Sequence, residues 1–162
     1  MKKSFLAIIA TLFIFGFSAN AAHKNAKDFS DKIVNKEGLL DKSKLKNKKY
    51  IVLYYSASWC PPCRQFTPKL VEYYNEMKEK KGSRMPFEVL LVPSDRSEKA
   101  SLKYMQKMPW PGIKFGQKSS IKVVTKNSPR GIPYIVVLDK KGKVVIKDNA
   151  FAALPKLKKL LK

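Results

Sequence analysis

The spacing of apolar residues changes along this chain, and each spacing predicts an element. Residues 50–55 form a continuous run of β-branched, aliphatic and aromatic side chains, which is typical of a strand buried on both faces. Residues 87–92 repeat this pattern around a single glutamate. Between the two runs apolar residues fall at helical spacing, which predicts a helix from Cys63 to Lys81 that ends at Gly82. Its apolar positions are Phe66, Leu70, Tyr73 or Tyr74, and Met77.

A second helix is predicted over residues 98–108. Asp95 or Ser97 is its candidate cap. Residues 109–112, Pro-Trp-Pro-Gly, must leave that helix because two prolines and a glycine cannot continue it. Residues 113–131 are predicted to be a loop with room for one short element.

The end of the chain predicts a hairpin followed by a helix. Residues 134–138 and 144–146 have strand character, and the turn at residues 139–142 joins them. Residues 151–161 carry leucines on one side and predict a final helix that packs on the sheet. The order of elements indicates an α/β sheet, parallel at first and antiparallel at its end, with helices on both faces.

The first residues have the pattern of an export signal. Lys2 and Lys3 precede the apolar run 5–17, and Ala19-Asn20-Ala21 is a small-x-small cleavage site. A membrane anchor is the alternative, but the run is shorter than the roughly 20 residues that a spanning helix needs. We therefore expect cleavage of residues 1–21 and a periplasmic or secreted protein. Residues 22–48 form a basic segment in which a short strand could begin at Gly38, and residues 49–162 form the single domain.

The chain is strongly basic. Its 34 lysines and arginines against 12 acidic residues give a net charge of +22. In an exported protein this favours acidic partners or anionic surfaces over nucleic acid. The lysines are spread from Lys24 to Lys162, so a generally solvated basic surface is the alternative.

Both cysteines lie in the sequence WCPPC at the predicted junction of strand and helix. A structural zinc site usually needs four ligands, and besides Cys60 and Cys63 the chain offers only His23. A structural disulfide that closes so short a loop contributes only roughly 2 kcal/mol in the chain-entropy model. Redox chemistry explains more of the local sequence, because the start of a helix lowers the pKa of a cysteine and the thiolate is the nucleophile.

Position predicts the roles of the two sulfurs. Cys60, at the more exposed helix tip, attacks a substrate disulfide, and Cys63, one turn inside, resolves the mixed disulfide. Pro61 and Pro62 are tolerated in a first helical turn and stiffen it, and the N–H of Cys63 remains as the partner of an N-cap. Arg64 adds positive potential one turn on. This chemistry requires neither metal nor cofactor.

Three segments resemble the thioredoxin superfamily and, within it, the tryparedoxin and nucleoredoxin branch. They are SASWCPPCRQFTP at 56–68, VPSDRSEKASLKYMQKMPW at 92–110 and GIPYIVVLD at 131–139. The resemblance implies a three-layer α/β sandwich, with a central mixed sheet flanked by helices, and thiol–disulfide exchange.

The resemblance also implies a substrate loop with a cis proline at Pro133, whereas the residues alone favour a trans proline entering a strand. Ile132 and Pro133 become substrate-binding candidates with Trp59, Pro61 and Pro62. Trp110 is a further candidate at the rim of the site, although core packing is as plausible for it and for Trp59. The resemblance further implies that the first helix continues through Pro68.

The chain departs from the wider family at the buried acid that assists the second thiol. Tyr54 occupies the position where many thioredoxins carry a buried acid that moves the proton of the second thiol. Glu88 or water could replace that acid, so the base is unassigned. Arg130, before the proline loop, is a weak candidate for attracting acidic substrates.

The sequence therefore predicts an exported, monomeric thiol–disulfide oxidoreductase that reduces or exchanges protein disulfides and draws on an unidentified electron donor. The alternatives are a disulfide oxidase or isomerase, and a binding module without catalytic activity. The direction of electron flow is open, because a basic surface favours an oxidant and the resemblance favours a reductant.

Overall fold

The computed structural model describes residues 24–40 and 43–162. The described strands are β1 Ile33–Asn35, β2 Gly38–Leu39, β3 Tyr50–Ser56, β4 Phe87–Pro93, β5 Gly112–Ile113, β6 Tyr134–Asp139 and β7 Val144–Asn149. The described α-helices are α1 Ser43–Lys46, α2 Pro61–Lys81, α3 Glu98–Met105, α4 Lys122–Lys126 and α5 Ala150–Leu160. Short 3-10 helices cover Lys24–Lys27, Gly82–Arg84 and Lys118–Ser120.

The strands form one mixed sheet in the order β2-β1-β5-β4-β3-β6-β7. β3 lies near its centre, parallel to β4 and antiparallel to β6. β4 and β5 are parallel, whereas β6 and β7 are antiparallel and joined by the predicted turn. The predicted change from parallel to antiparallel pairing is therefore confirmed.

Both faces of the sheet are covered, so β3 is buried along its whole length. On one face Val52 and Tyr54 pack with residues of α2, α3 and α5, including Phe66 and Leu157. On the other face Leu53 and its neighbours pack with side chains of the N-terminal segment and α4; these are Phe29, Leu45, Ile121 and Val124. Full burial of one aliphatic or aromatic side chain stabilises the fold by about 1.5–3 kcal/mol, which explains why an unbroken apolar run forms the central strand.

The active-site helix runs as predicted. α2 ends at Lys81, and Gly82 follows with a φ of 53°, a left-handed conformation that favours glycine. The helix continues through Pro68, which is exposed and so lies away from the buried stripe that attaches the helix to the sheet. Packing of that stripe outweighs the helix-breaking preference of one proline.

The sheet extends further toward the N-terminus than the sequence pattern indicated. A strand at Gly38 is confirmed, but β1 and β5 were not predicted, and they carry the sheet across the boundary expected after residue 48. Strands of two or three residues are too short to show a period. At Gly112 a Cβ would lie 3.1 Å from the Leu91 Cβ, so glycine lets β5 approach β4.

Two predicted elements have different bounds. α3 ends at Met105 rather than Met108, and its cap is Ser97, whose hydroxyl accepts the N–H of Ala100. The segment 113–131 contains two short helices where one element was expected. The predicted export signal lies outside the described residues, and among those described no helix is long and apolar enough to cross a membrane.

Glu88 is a partly buried acid at the start of β4. Its Oε1 accepts the Tyr74 hydroxyl at 2.9 Å and the N–H of Val89 at 3.0 Å. Burial nevertheless raises the pKa of Glu88 above its ordinary value.

This raised pKa predicts a pH-dependent effect of Glu88→Gln on stability. The folded state holds the proton of Glu88 more tightly than the unfolded chain, so its contribution is complete below pH 4.5, the ordinary pKa, and is lost as the pH rises through the raised pKa. The amide of the Glu88→Gln variant does not ionise, so the variant does not lose stability in this way as the pH rises. The free energy of unfolding of the variant relative to the wild type should therefore be larger near neutrality than at pH 4.5, as urea unfolding can measure. A matched change at the exposed Glu79 is the control, and an effect of Glu88→Gln that does not vary with pH would contradict the prediction.

Candidate active site

The two cysteines lie at the junction between β3 and α2. Cys60 is the N-cap of α2, and its Sγ accepts the N–H of Cys63 at 3.2 Å, as the spacing predicted. The two sulfurs form a disulfide, with the Cα atoms 5.2 Å apart. Pro61 and Pro62 occupy the first helical turn, where their missing N–H groups leave no helical bond unmade.

The Cys60 sulfur is less accessible than the sequence suggested. Cys60 is 3% exposed and Cys63 is fully buried, so the predicted order is right but the difference is small. Ala57 and Ile132 pack around the pair, while Pro61 and Pro62 are exposed beside it. Cys60 therefore presents little surface to a substrate, and the two prolines are its exposed neighbours in the chain.

A loop with a cis proline faces the cysteines. The Ile132–Pro133 peptide bond is cis, and the carbonyl oxygen of Ile132 lies 3.8 Å from the Cys60 Sγ. Within the part of the chain that the structure describes, the N–H groups of Gly131 and Ile132 make no hydrogen bond. The carbonyl of Pro133 accepts the N–H of Ala150, the first residue of α5, at 3.1 Å, so the last helix anchors this loop.

Trp59 flanks the site and does not belong to the core. Its side chain is 52% exposed, and its Nε1–H donates to the carbonyl of Ser94 at 3.0 Å. The turn before it is held by Asp95, whose Oδ1 accepts the N–H of Ser58 at 2.9 Å and its hydroxyl at 2.6 Å. Sequence reasoning considered Asp95 only as a helix cap, because a contact across 37 residues leaves no local pattern.

The position of Trp110 corrects the prediction that it lies at the rim. Trp110 is 2% exposed and packs in the core, with its ring edge to face against Tyr54 and Tyr74. Its indole N–H is buried and has no hydrogen-bond partner among the described residues. A side chain so enclosed offers a substrate no surface, and the core position that the sequence also allowed is the one observed.

Four buried hydroxyl groups form a network beneath Cys63. Thr67 is its centre: its Oγ1 donates to the Cys63 carbonyl at 2.8 Å and lies 2.9 Å from the Tyr54 hydroxyl and 2.7 Å from that of Tyr104. Tyr104 also lies 3.0 Å from the Ser56 Oγ. The network links β3, α2 and α3, and it fixes the backbone at the second cysteine. Thr67 and Tyr104 were not predicted as site residues.

The structure narrows the choice of proton acceptor for the second thiol. Burial raises the pKa of Tyr54 above its ordinary value, so its hydroxyl stays protonated. Glu88 pairs with Ile51, whereas the cysteines follow Ser56, which pairs with Pro93. Five residues of strand separate these levels by about 16 Å, which excludes Glu88 as a direct acceptor. Of the two proton acceptors considered for the second thiol, Glu88 and water, water therefore remains.

Among the described residues there is no group of three or more His, Cys, Asp and Glu that could hold a metal.

A CxxC pair at a helix start, opposite a cis-proline loop on a mixed sheet, is the arrangement of a thioredoxin-like fold. A model of the thioredoxin-like family matches residues 47–144. The chain belongs to this family, in its nucleoredoxin and tryparedoxin branch.

Relatives of known sequence support that placement. Tryparedoxin of Trypanosoma brucei brucei is 38% identical over 103 residues, which are 63% of this chain and 69% of that protein. Probable nucleoredoxin 1 of Arabidopsis thaliana is 39% identical over 100 residues and nucleoredoxin of Xenopus laevis 37% over 106, covering 62% and 65% of this chain. The chain spans only 17% and 25% of the length of these two nucleoredoxins.

Solved structures agree with the sequence relatives. Tryparedoxin I of Crithidia fasciculata superposes with a TM-score of 0.66 at 34% identity, covering 80% of this chain and 89% of that one. Tryparedoxin of Trypanosoma brucei gives a TM-score of 0.67 at 29% identity, covering 82% and 91%. The predicted thioredoxin-like sandwich is thus confirmed.

The hydroxyl network predicts a large effect of Tyr104→Phe. This change removes the partner that the structure gives the Ser56 hydroxyl and one of three partners of Thr67, and unmade hydrogen bonds of buried groups cost about 1–3 kcal/mol. Chemical denaturation should show a loss of that size. Tyr73→Phe is the matched control, because Tyr73 is as buried but its hydroxyl makes no hydrogen bond within the described residues. Equal losses in the two variants would show that the network does not stabilise the fold.

Proposed function

We propose that this thiol–disulfide oxidoreductase is an exported reductant of protein disulfides. The observation that carries the proposal is the position of the Cys60 Sγ between a helix N-terminus and a loop with free N–H groups. The first feature favours a thiolate, and the second provides a docking edge for an extended polypeptide.

The exchange begins from the dithiol form of the pair. The Cys60 thiolate attacks one sulfur of a substrate disulfide, so that a mixed disulfide forms and the other substrate sulfur leaves as a thiolate, which takes up a proton. Cys63 then loses its proton and attacks the Cys60 Sγ. The mixed disulfide breaks, the second substrate thiol is released, and the Cys60–Cys63 disulfide remains. Two electrons and two protons pass to the substrate, and an electron donor must restore the dithiol.

The chain's own groups support each step. The N–H of Cys63, which points at the Cys60 Sγ, and the positive end of α2 both stabilise negative charge on that sulfur. The hydroxyl network holds the Cys63 backbone, so the second sulfur stays within reach of the first. The N–H groups of Gly131 and Ile132 can pair with the main chain of a bound substrate segment, as strand addition requires.

Export is supported by residues 1–21, with their basic start, apolar middle and cleavage motif. An exported reductant works where disulfides persist, so its electrons must come from across a membrane. The same compartment provides protein disulfides as substrates.

Cys63→Ser tests both the exchange and the export. Without the second sulfur the mixed disulfide cannot be resolved, so clients should accumulate on Cys60 and be released by dithiothreitol. The full chain is expressed in its own cells, adducts are recovered from the exported fraction, and mass spectrometry should find Ala22 as the first residue. The double variant Cys60→Ser, Cys63→Ser is the control and should trap nothing. Partners that stay bound after reduction, with no thiol-released adduct, would instead identify a binding module.

The equilibrium reduction potential tests the direction of electron flow. A reductant should equilibrate with dithiothreitol buffers near the value of thioredoxin, about −270 mV. The exposed Trp59, next to Cys60, offers a fluorescence signal for the measurement. A potential near about −120 mV would make the protein an oxidant and overturn the proposed direction.

A further inference from the structure

We infer that the preferred clients carry an acidic side chain beside the cysteine that Cys60 attacks. This inference rests on the proposed function and names the substrate class of the same site. It depends on a groove that begins at the cis-proline loop and on the charges that line it.

The groove adjoins the reactive sulfur. It has a volume of about 530 Å³ and runs from the loop to β7; its lining residues include Ile132, Tyr134, Arg130, Lys147 and Asn149. The carbonyl of Ile132 lies 3.8 Å from the Cys60 Sγ, so a residue that lines the groove also borders the reactive sulfur. An extended segment paired with the free N–H groups of the loop would place the residues next to its cysteine in this groove.

The groove carries positive charge without compensation. Arg130 and Lys147 are both exposed, and neither forms an ion pair with another described residue. None of the described residues that line the groove is acidic. The neighbouring Asp148 is already satisfied, because its Oδ2 lies 2.6 Å from Lys156 Nζ and its Oδ1 accepts the N–H of Asn149 at 2.8 Å.

The general basic charge of the chain does not by itself produce this pattern. Three other cavities of the described surface also contain lysines or arginine, yet each is lined by at least one glutamate. Their glutamates are Glu72, Glu37 with Glu88, and Glu76. The groove beside the proline loop differs from these cavities because its charged lining residues, Arg130 and Lys147, are both cationic.

The opposite side of the site is also positive. The guanidinium of Arg96 lies 5.9 Å from the centre of the Trp59 ring, which is half exposed next to Cys60. The nearby acid, Asp95, is buried: its Oδ1 accepts the N–H of Ser58, whereas its Oδ2 has no hydrogen-bond partner among the described residues, so its negative charge offsets part of the charge of Arg96. A client carboxylate therefore meets uncompensated positive charge in the groove and partly compensated positive charge at Arg96, which favours its approach and discriminates against basic clients.

The test compares peptide disulfides that differ only beside the reactive cysteine. Three peptides carry Asp, Asn or Lys on both sides of that cysteine, and each is reacted with the reduced protein in single-turnover experiments. The same peptides are reacted with free dithiothreitol, which corrects for their intrinsic reactivity. We expect the corrected rate to be highest for Asp and lowest for Lys, and the ratio of Asp to Asn to fall about tenfold in the double variant Arg130→Glu, Lys147→Glu. In the wild type the ratio should also fall as salt screens the charges, which tests the inference without a variant.

The control makes the same change of net charge far from the sulfur. Lys81→Glu with Lys159→Glu is suitable, because Lys81 lies at the far end of α2, about 30 Å from Cys60, and Lys159 lies in the last turn of α5. An Asp to Asn ratio of one in the wild type, or an equal fall in both double variants, would overturn the inference while leaving exchange intact. Failure of the wild type to react with any peptide would refute the proposed function instead. Loss of binding to anionic lipid vesicles in the groove variant, with no peptide preference, would assign the charge to a membrane and also overturn the inference.

Discussion

The structure depends on the burial of β3 on both faces. No residue between Tyr50 and Ser56 is exposed, so the chain must provide apolar cover above and below this strand. That requirement places α2, α3 and α5 on one face and the N-terminal segment with α4 on the other. It also fixes where β3 ends, and thereby where α2 can begin. The cysteines lie at that junction because the helix must start there to cover the strand from which it emerges.

Much of this architecture follows from local sequence. The unbroken run of β3, the helical spacing of Phe66 and Leu70, and the turn before Gly142 each have a period or a composition that a short window reveals. The capping of α2 by Cys60 follows from the spacing of the two cysteines alone. The cis bond before Pro133 does not: the residues alone favour a trans bond, and only the resemblance to a family indicates the cis bond that is observed.

The rest depends on contacts between distant segments. Trp110 shares a sequence motif with residues near the site, yet its large apolar ring is buried against Tyr54, because removing that ring from water outweighs leaving one indole N–H unpaired. Asp95 lies on a loop and Tyr104 on a helix. The local sequence of these elements does not indicate that Asp95 bonds to Ser58 or that Tyr104 bonds to Thr67. The local sequence does not distinguish Lys147 from the other lysines of the chain. Pairing of β7 with β6 places it in the groove beside the proline loop. Sequence periodicity locates elements, whereas the partners of polar side chains emerge only when the elements are assembled.

The anchoring of the proline loop by α5 has a consequence for the order of synthesis. A chain emerges from the ribosome beginning at its N-terminus, so both cysteines appear roughly ninety residues before Ala150, whose N–H holds Pro133. Until α5 is made and packed, the loop opposite Cys60 lacks this hydrogen bond and is held only through the pairing of β6 with β3. The geometry opposite Cys60 is thus complete only after α5 has packed, which places the assembly of the site late in synthesis although its two sulfurs are made early.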